Sequence, residues 1–290
     1  MYSIAISTEC VADLPKKMFK QYGVEIIYYD IETDSGVFRD TEEINAGNVM
    51  EYFHSGGGIA RSITPSAYDY KNFFKKILMD YDEIIHLCNS QKISNALKNA
   101  DLARMKLGIE GRKVHVVDSM HLSSGLGLMV LAAAKCRNSG MKVSEILEYL
   151  KQEVNYVSTS FLVKNTDFLL QNNRVGRHLM SLCKLLHLHP VICMRNGELR
   201  MWKFYVGTYE KAVYKYISDV LYEISDVDKE LCVLTYVGCS HESLERIYGE
   251  IVRRINFKQV WVQPASATVS CNCGPDCFGI FHYINREEDT

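Results

Sequence analysis

The sequence predicts a two-domain α/β protein: an N-terminal, mostly parallel βαβ sheet, and a C-terminal mixed or antiparallel sheet with helices, the ligand site lying between them. Three observations lead there. Short apolar runs alternate with helix-length stretches through residues 1–157, the pattern of βαβ units. A hairpin signature, Asn196-Gly197, sits between two extended apolar stretches in the second part. The length of 290 residues corresponds to about two domains by the usual prior, each able to bury its own core.

The elements follow in order. Strands are expected over residues 3–7, 24–29, 83–88 and 113–117, with helices over 14–22, 46–54, 67–79, 94–106 and 125–138. The strand ends carry polar clusters: Ser7-Thr8-Glu9, Asn89-Ser90 and Asp118-Ser119. Ligands of open α/β sheets bind outside the carboxyl ends of strands, so these clusters are expected to line one crevice. A helix over 143–154 closes the first domain. The second domain, residues 158–290, takes a hairpin (191–194 and 199–203), helices over 208–224 and 240–253, a strand over 230–236, and terminal strands over 259–262 and 279–283.

Bulk composition removes several function classes. With 33 Lys and Arg against 35 Asp and Glu, the formal net charge is −2, which gives no electrostatic reason to expect nucleic acid or an anionic membrane. The N-terminus reads as a first strand and lacks the basic region and cleavage site of a signal peptide. The most apolar run, residues 126–134, stops at Lys135 and is too short for a membrane anchor. A soluble cytoplasmic protein is expected, and its ten cysteines then read as free thiols in a reducing compartment.

Two hydroxyl-rich turns stand out. After the strand over 83–88 comes Asn89-Ser90-Gln91-Lys92-Ile93-Ser94-Asn95-Ala96, where Ser94 occupies an N-cap position. The turn is either an ordinary cap or, through free N–H groups and the helix dipole, an anion site. After the glycines 56–58 comes Ser62-Ile63-Thr64-Pro65-Ser66, which either presents donors to a ligand or merely starts the next helix. A catalytic alternative, an ester or lipid hydrolase, joins Ser94 or Ser62 with His121 and Asp118, although no G-x-S-x-G elbow accompanies them. Cys271, Cys273, Cys277 and His282 supply zinc-type ligand atoms in an uncommon spacing; free cysteines are the simpler expectation.

Taken in order, the motifs resemble the DegV family of two-domain bacterial fatty-acid carriers. Thr8-Glu9-Cys10-Val11-Ala12-Asp13-Leu14-Pro15 is similar to T-D-S-T-x-D-L-P, Ser62-Ile63-Thr64-Pro65-Ser66 to T-S-Q-P-S, and the segment from Ser90 to Ala100 to S-S-x-L-S-G-T-Y-x-x-A. Val117-Asp118-Ser119 and Ser123-Ser124-Gly125-Leu126-Gly127 match V-D-S and a serine followed by G-x-G. Asn172-Asn173-Arg174-Val175 stands for G-G-R-I, and Asn272-Cys273-Gly274-Pro275 replaces H-T-G-P. His189-Pro190-Val191-Ile192 with Gly197-Glu198-Leu199 stands for K-P-I-L and D-G-x-L.

The resemblance implies a long-chain fatty acid, such as palmitate, as ligand, with no separate cofactor. Its carboxylate would meet Ser62, Ser94 and the N–H of Asn95, with Arg174, Asn272 and Thr64 in the polar surround. Leu122 and residues 126–131 are candidate walls for an acyl tunnel, or simply core. Some relatives present the acyl group to a fatty acid kinase; Asn272, standing where the family has histidine, cannot titrate and weighs against that partner. It leaves the lipid site in place.

Overall fold

A computed structural model describes residues 2–171, 183, 186, 188–222 and 227–285. Four parallel strands form the first sheet: β1 (Ile4–Glu9), β2 (Val24–Ile27), β6 (Glu83–Cys88) and β7 (Val114–Asp118), in the order β2-β1-β6-β7. β1 is buried along its whole length, as a central parallel strand of apolar and small residues must be. Helices α1 (Lys16–Gln21), α2 (Ala46–Tyr52), α3 (Ala67–Ile77), α4 (Ala96–Lys106), α5 (Ser123–Asn138) and α6 (Val143–Glu153) connect and cover it.

The strand order reverses between β1 and β6. β1 leads outward to β2 on one side, whereas β6 leads to β7 on the other. In open α/β sheets ligands bind at such switch points, which here fall at the carboxyl ends of β1 and β6, at Glu9 and just before Asn89.

The second sheet has six strands in the order β10-β9-β8-β13-β11-β12, from β8 (Val157–Leu162), β9 (Leu188–Arg195), β10 (Glu198–Val206), β11 (Val227–Val237), β12 (Gln259–Pro264) and β13 (Cys277–Ile284). All neighbours are antiparallel except β11 and β12, which run parallel and make the sheet mixed. The expected hairpin is β9-β10. Asn196 and Gly197 both take positive φ (51° and 77°), as a type I′ turn requires. Helices α7 (Asp167–Gln171), α8 (Tyr209–Val220), α9 (His241–Arg254) and α10 (Ala267–Cys273) complete this part.

Two features depart from the sequence expectation. Residues 30–63 contribute a small antiparallel sheet, β4-β3-β5, from β3 (Asp30–Thr33), β4 (Gly36–Arg39) and β5 (Arg61–Ile63). Strands of three or four residues are too short for a two-residue period to register. Likewise α10, only seven residues long, lies in a segment that composition marks as a cysteine-rich loop.

Helix α5 explains the apolar run 126–131. Nearly every residue of it is buried, because it lies between β1 and β6 of the first sheet and β8, β11 and β13 of the second. A helix apolar on all sides is a core helix, and Leu126 and residues 128–131 belong to that core. The G-x-G spacing has a packing cause. A Cβ on Gly127 would lie 2.3 Å from the Ala12 carbonyl oxygen and 2.6 Å from Leu14 Cγ, and one on Gly125 would lie 2.2 Å from Thr159 Oγ1. Gly127→Ala is therefore expected to lower stability by roughly 2–3 kcal/mol, seen as a lower urea midpoint at unchanged slope.

Candidate functional site

Ser94 stands one residue before the N-cap rather than on it. Asn95 is the N-cap of α4 and its side chain makes no capping bond, while Ser94 Oγ accepts the Ala96 N–H at 3.1 Å. The Asn95 N–H has no acceptor among the described residues, so the helix start keeps donors facing outward.

Ser62 lies on strand β5, not in a turn. It pairs with Ile31. Tyr29, two residues before Ile31, places its hydroxyl 3.4 Å from Ser94 Oγ. One short segment thus links both serines. Asn99 of α4 ties the same region from the other side, donating to the Pro65 carbonyl at 2.8 Å. Ser62, Thr64 and Ser94 are all half-buried, and the hydroxyls of Ser62 and Thr64 have no partner among the described residues. Ser66, by contrast, is committed to capping α3 through a capping box with Asp69.

Beneath this surface the polar end of β1 is fixed. Glu9 is fully buried. Its carboxyl accepts from the Tyr70 hydroxyl (2.8 Å), the Asn89 N–H (3.0 Å) and the Tyr29 hydroxyl (3.1 Å). Burial raises its pKa, and these donors oppose the rise. The loop after β6 also clasps the second sheet: Ser90 Oγ donates to the Gly197 carbonyl at 2.6 Å, and Lys92 pairs with Glu198 at 3.1 Å. A Cβ on Gly197 would stand 2.8 Å from Ser90 Oγ.

Helix α10, which carries Asn272, packs on β3 and β5. Asp40 accepts the N–H groups of Ala267 (2.8 Å) and Thr268 (2.9 Å), and Asp13 accepts from Ser266 N–H (2.8 Å) and the Ser123 hydroxyl (2.6 Å). Carboxyl groups from the first half thereby cap a helix of the second. Asn272 Nδ2 donates to the Thr268 carbonyl at 2.7 Å, inside its own helix. Arg174 lies outside the described residues, as do Asn172, Asn173, Val175 and His187.

Burial pushes the Asp13 carboxyl up to about 7, against the lowering effect of its donors. A carboxyl raised on folding favours the fold when protonated. Its stability contribution is full below about pH 4 and declines as pH rises through about 7, by roughly 4 kcal/mol. Asp13→Asn keeps an acceptor for Ser266 and a partner for Ser123. It is expected to flatten the fall in Tm between pH 4 and pH 8, as thermal melts would register.

The apolar neighbour of the site is a cluster drawn from both halves: Ile31, Val49 and Met50 from the first, and Phe161, Phe168, Ile192, Val237 and Cys273 from the second, with Leu122 packed against it. Phe53 meets Phe168 edge-on at 4.9 Å. Between Leu122, Phe161, Val269, Cys273 and Phe278 runs a cavity of about 20 Å³, little more than the space of a single water.

The catalytic alternative does not assemble. Both His121 ring nitrogens are engaged, Nδ1 with Thr159 Oγ1 and Nε2 with the Val154 carbonyl, each at 3.0 Å. Burial lowers its pKa to about 4. Asp118 accepts the Met120 N–H instead of orienting the imidazole. The cysteine cluster also separates. Cys277 contacts Cys273, but Cys277 and His282 are five residues apart on β13, and an odd separation places them on opposite faces of a strand. Among the described residues, Glu9, His86 and Cys88 bring ligand atoms within 4.8 Å of one another; the tyrosines and Asn89 already occupy that carboxyl.

Residues 3–285 match the family model described as "Uncharacterised protein, DegV family". The chain belongs to the DegV family. A DegV domain-containing protein of Caldanaerobacter subterraneus is 23% identical over 97% of this chain and 99% of its own length. A Thermotoga maritima protein named "Fatty acid-binding protein" is 22% identical over 95% and 96%. Among solved structures, the DegV family protein from Thermus thermophilus, described under "Fatty Acid Binding", superposes with a TM-score of 0.88 at 23% identity, covering 98% of this chain and all of its own. The DegV fold is thus shared across the whole chain. Among the described residues no helix is long and apolar enough to cross a membrane.

Proposed function

We propose that this DegV protein binds one long-chain fatty acid at the seam between two units divided near residue 157. The carboxylate is held by Ser62, Ser94 and the Asn95 N–H. Thr64, Asn272 and Arg174 form the polar surround, and the acyl chain follows the apolar cluster shared by the two halves. One observation carries this reading. Half-buried hydroxyls with donor capacity left over stand beside an open helix start at the topological switch point, and they adjoin an apolar cluster. The names of the Thermotoga and Thermus relatives support the ligand class.

Affinity comes chiefly from the chain. Each buried methylene contributes roughly 0.8 kcal/mol, so a sixteen-carbon chain supplies on the order of 10 kcal/mol before ordering costs. The hydroxyls fix orientation. Because the cavity is about 20 Å³, the acyl chain enters by parting the side chains that line it, which offsets some of that gain. The fatty acid is itself the ligand, no cofactor takes part, and the protein acts in the cytoplasm as a carrier, not an enzyme. Asn272 weighs against a kinase partner that acts on the bound carboxylate.

Displacement of a fluorescent fatty acid by palmitate tests binding, and incubation with p-nitrophenyl palmitate and a fluorophosphonate tests the carrier assignment. Displacement without ester turnover or labelling is expected. Stoichiometric labelling of Ser94 or Ser62 would overturn the carrier assignment.

A further inference from the structure

The turn that presents Ser94 hangs on one residue, Ser90. The Ser90 carbonyl accepts the N–H groups of Ile93 (3.0 Å) and Ser94 (3.1 Å), which winds residues 90–94 into a tight turn. Ser90 is fully buried and is itself fixed from two directions. Its N–H donates to the His121 carbonyl at 3.0 Å. Its hydroxyl donates its single proton to the Gly197 carbonyl at 2.6 Å. Both anchors lead into the second sheet: Gly197 lies at the tip of the β9-β10 hairpin, and the His121 ring reaches Thr159 of β8 at 3.0 Å. The tip fits closely. Gly197 takes a φ of 77°, and a Cβ there would stand 2.8 Å from Ser90 Oγ and 3.7 Å from Met120 Cβ. The Lys92–Glu198 pair beside it is exposed and adds little by comparison.

We propose that the tip of the β9-β10 hairpin is a positioning element of the head-group site: Gly197, acting through Ser90, holds Ser94 and the Asn95 N–H where one carboxylate meets both. This rests on Ser94 and Asn95 being head-group ligands. Ser90 gives its proton to Gly197, so it acts on the ligand through the turn and not by direct contact. A hairpin of the second sheet thereby sets the geometry of a site built on the first. The effect depends on the charge of the head group. A carboxylate draws charge-assisted hydrogen bonds, which are stronger than those of a neutral hydroxyl, so it loses more when the two donors drift apart.

The test is the ratio of affinities for palmitate and hexadecanol, measured by displacement on the full chain with Tm recorded for each variant. Ser94→Ala is expected to lower the acid-to-alcohol ratio by at least about tenfold. Ser90→Ala, which leaves Ser94 in place, is expected to lower it about fivefold. Gly197→Ala, whose Cβ presses on Ser90, is expected to do the same. Gly207→Ala is the control. It strains a positive φ of 109° just after β10, but its Cβ meets nothing within 4 Å, so Tm should fall while the ratio holds. A ratio unchanged in Ser90→Ala or Gly197→Ala, or one that falls as far in Gly207→Ala, would overturn the positioning role while leaving the head-group site standing. A ratio unchanged in Ser94→Ala would remove the head-group reading itself.

Discussion

Shortening the ligand from sixteen to ten carbons is expected to weaken binding about a thousandfold. Six methylenes at roughly 0.8 kcal/mol each amount to about 5 kcal/mol of lost burial. The full value is not reached, because a shorter chain also parts fewer of the side chains around the small cavity lined by Leu122, Phe161, Cys273 and Phe278. A displacement series from ten to sixteen carbons would give this slope, and calorimetry should show a heat-capacity change that grows more negative with length. Equal affinity across the series would place the chain outside the protein and contradict the assignment of the shared cluster.

Replacing both Ser62 and Ser94 by alanine is expected to lower fatty-acid affinity by roughly 100- to 1000-fold. A hydrogen bond to a charged group contributes about 1.5–3 kcal/mol, and the two are neighbours, so their effects are not independent. Stability should change little. Ser62 has no hydroxyl partner among the described residues, and Ser94 Oγ has the Ala96 N–H, a cap-like contact worth about 1 kcal/mol, and a long 3.4 Å contact with the Tyr29 hydroxyl. Unchanged affinity in a folded double variant would move the head group elsewhere.

Much of the fold was legible because its signals are long. β6 spans Glu83–Cys88 as its apolar run indicates, and α3 and α4 end within two residues of expectation. The β9-β10 hairpin announced itself through Asn196-Gly197. The small β3-β4-β5 sheet did not, since its strands are only three or four residues long, too short for periodicity to separate from loop.

The site was legible in part. Ser94 and Ser62 could be named from hydroxyl-rich turns and family-like order, yet Ser62 proved to be a strand residue and Ser94 lies beside its cap. The groups that tie them together were out of reach. Glu9 reads as a strand-end acid, and nothing local says that Tyr29 and Tyr70, 20 and 61 residues away, close over it. The carboxyl caps on α10 are equally non-local: Asp13 and Ser266 are separated by 253 residues. Such pairings follow from tertiary packing, and no periodicity encodes them.

Native mass spectrometry of the purified chain, followed by lipid extraction, tests the central claim most directly. One long-chain fatty acid per chain, released on unfolding and recovered in the extract, is the predicted result. A chain that carries no lipid and takes up no palmitate when offered it would contradict the account.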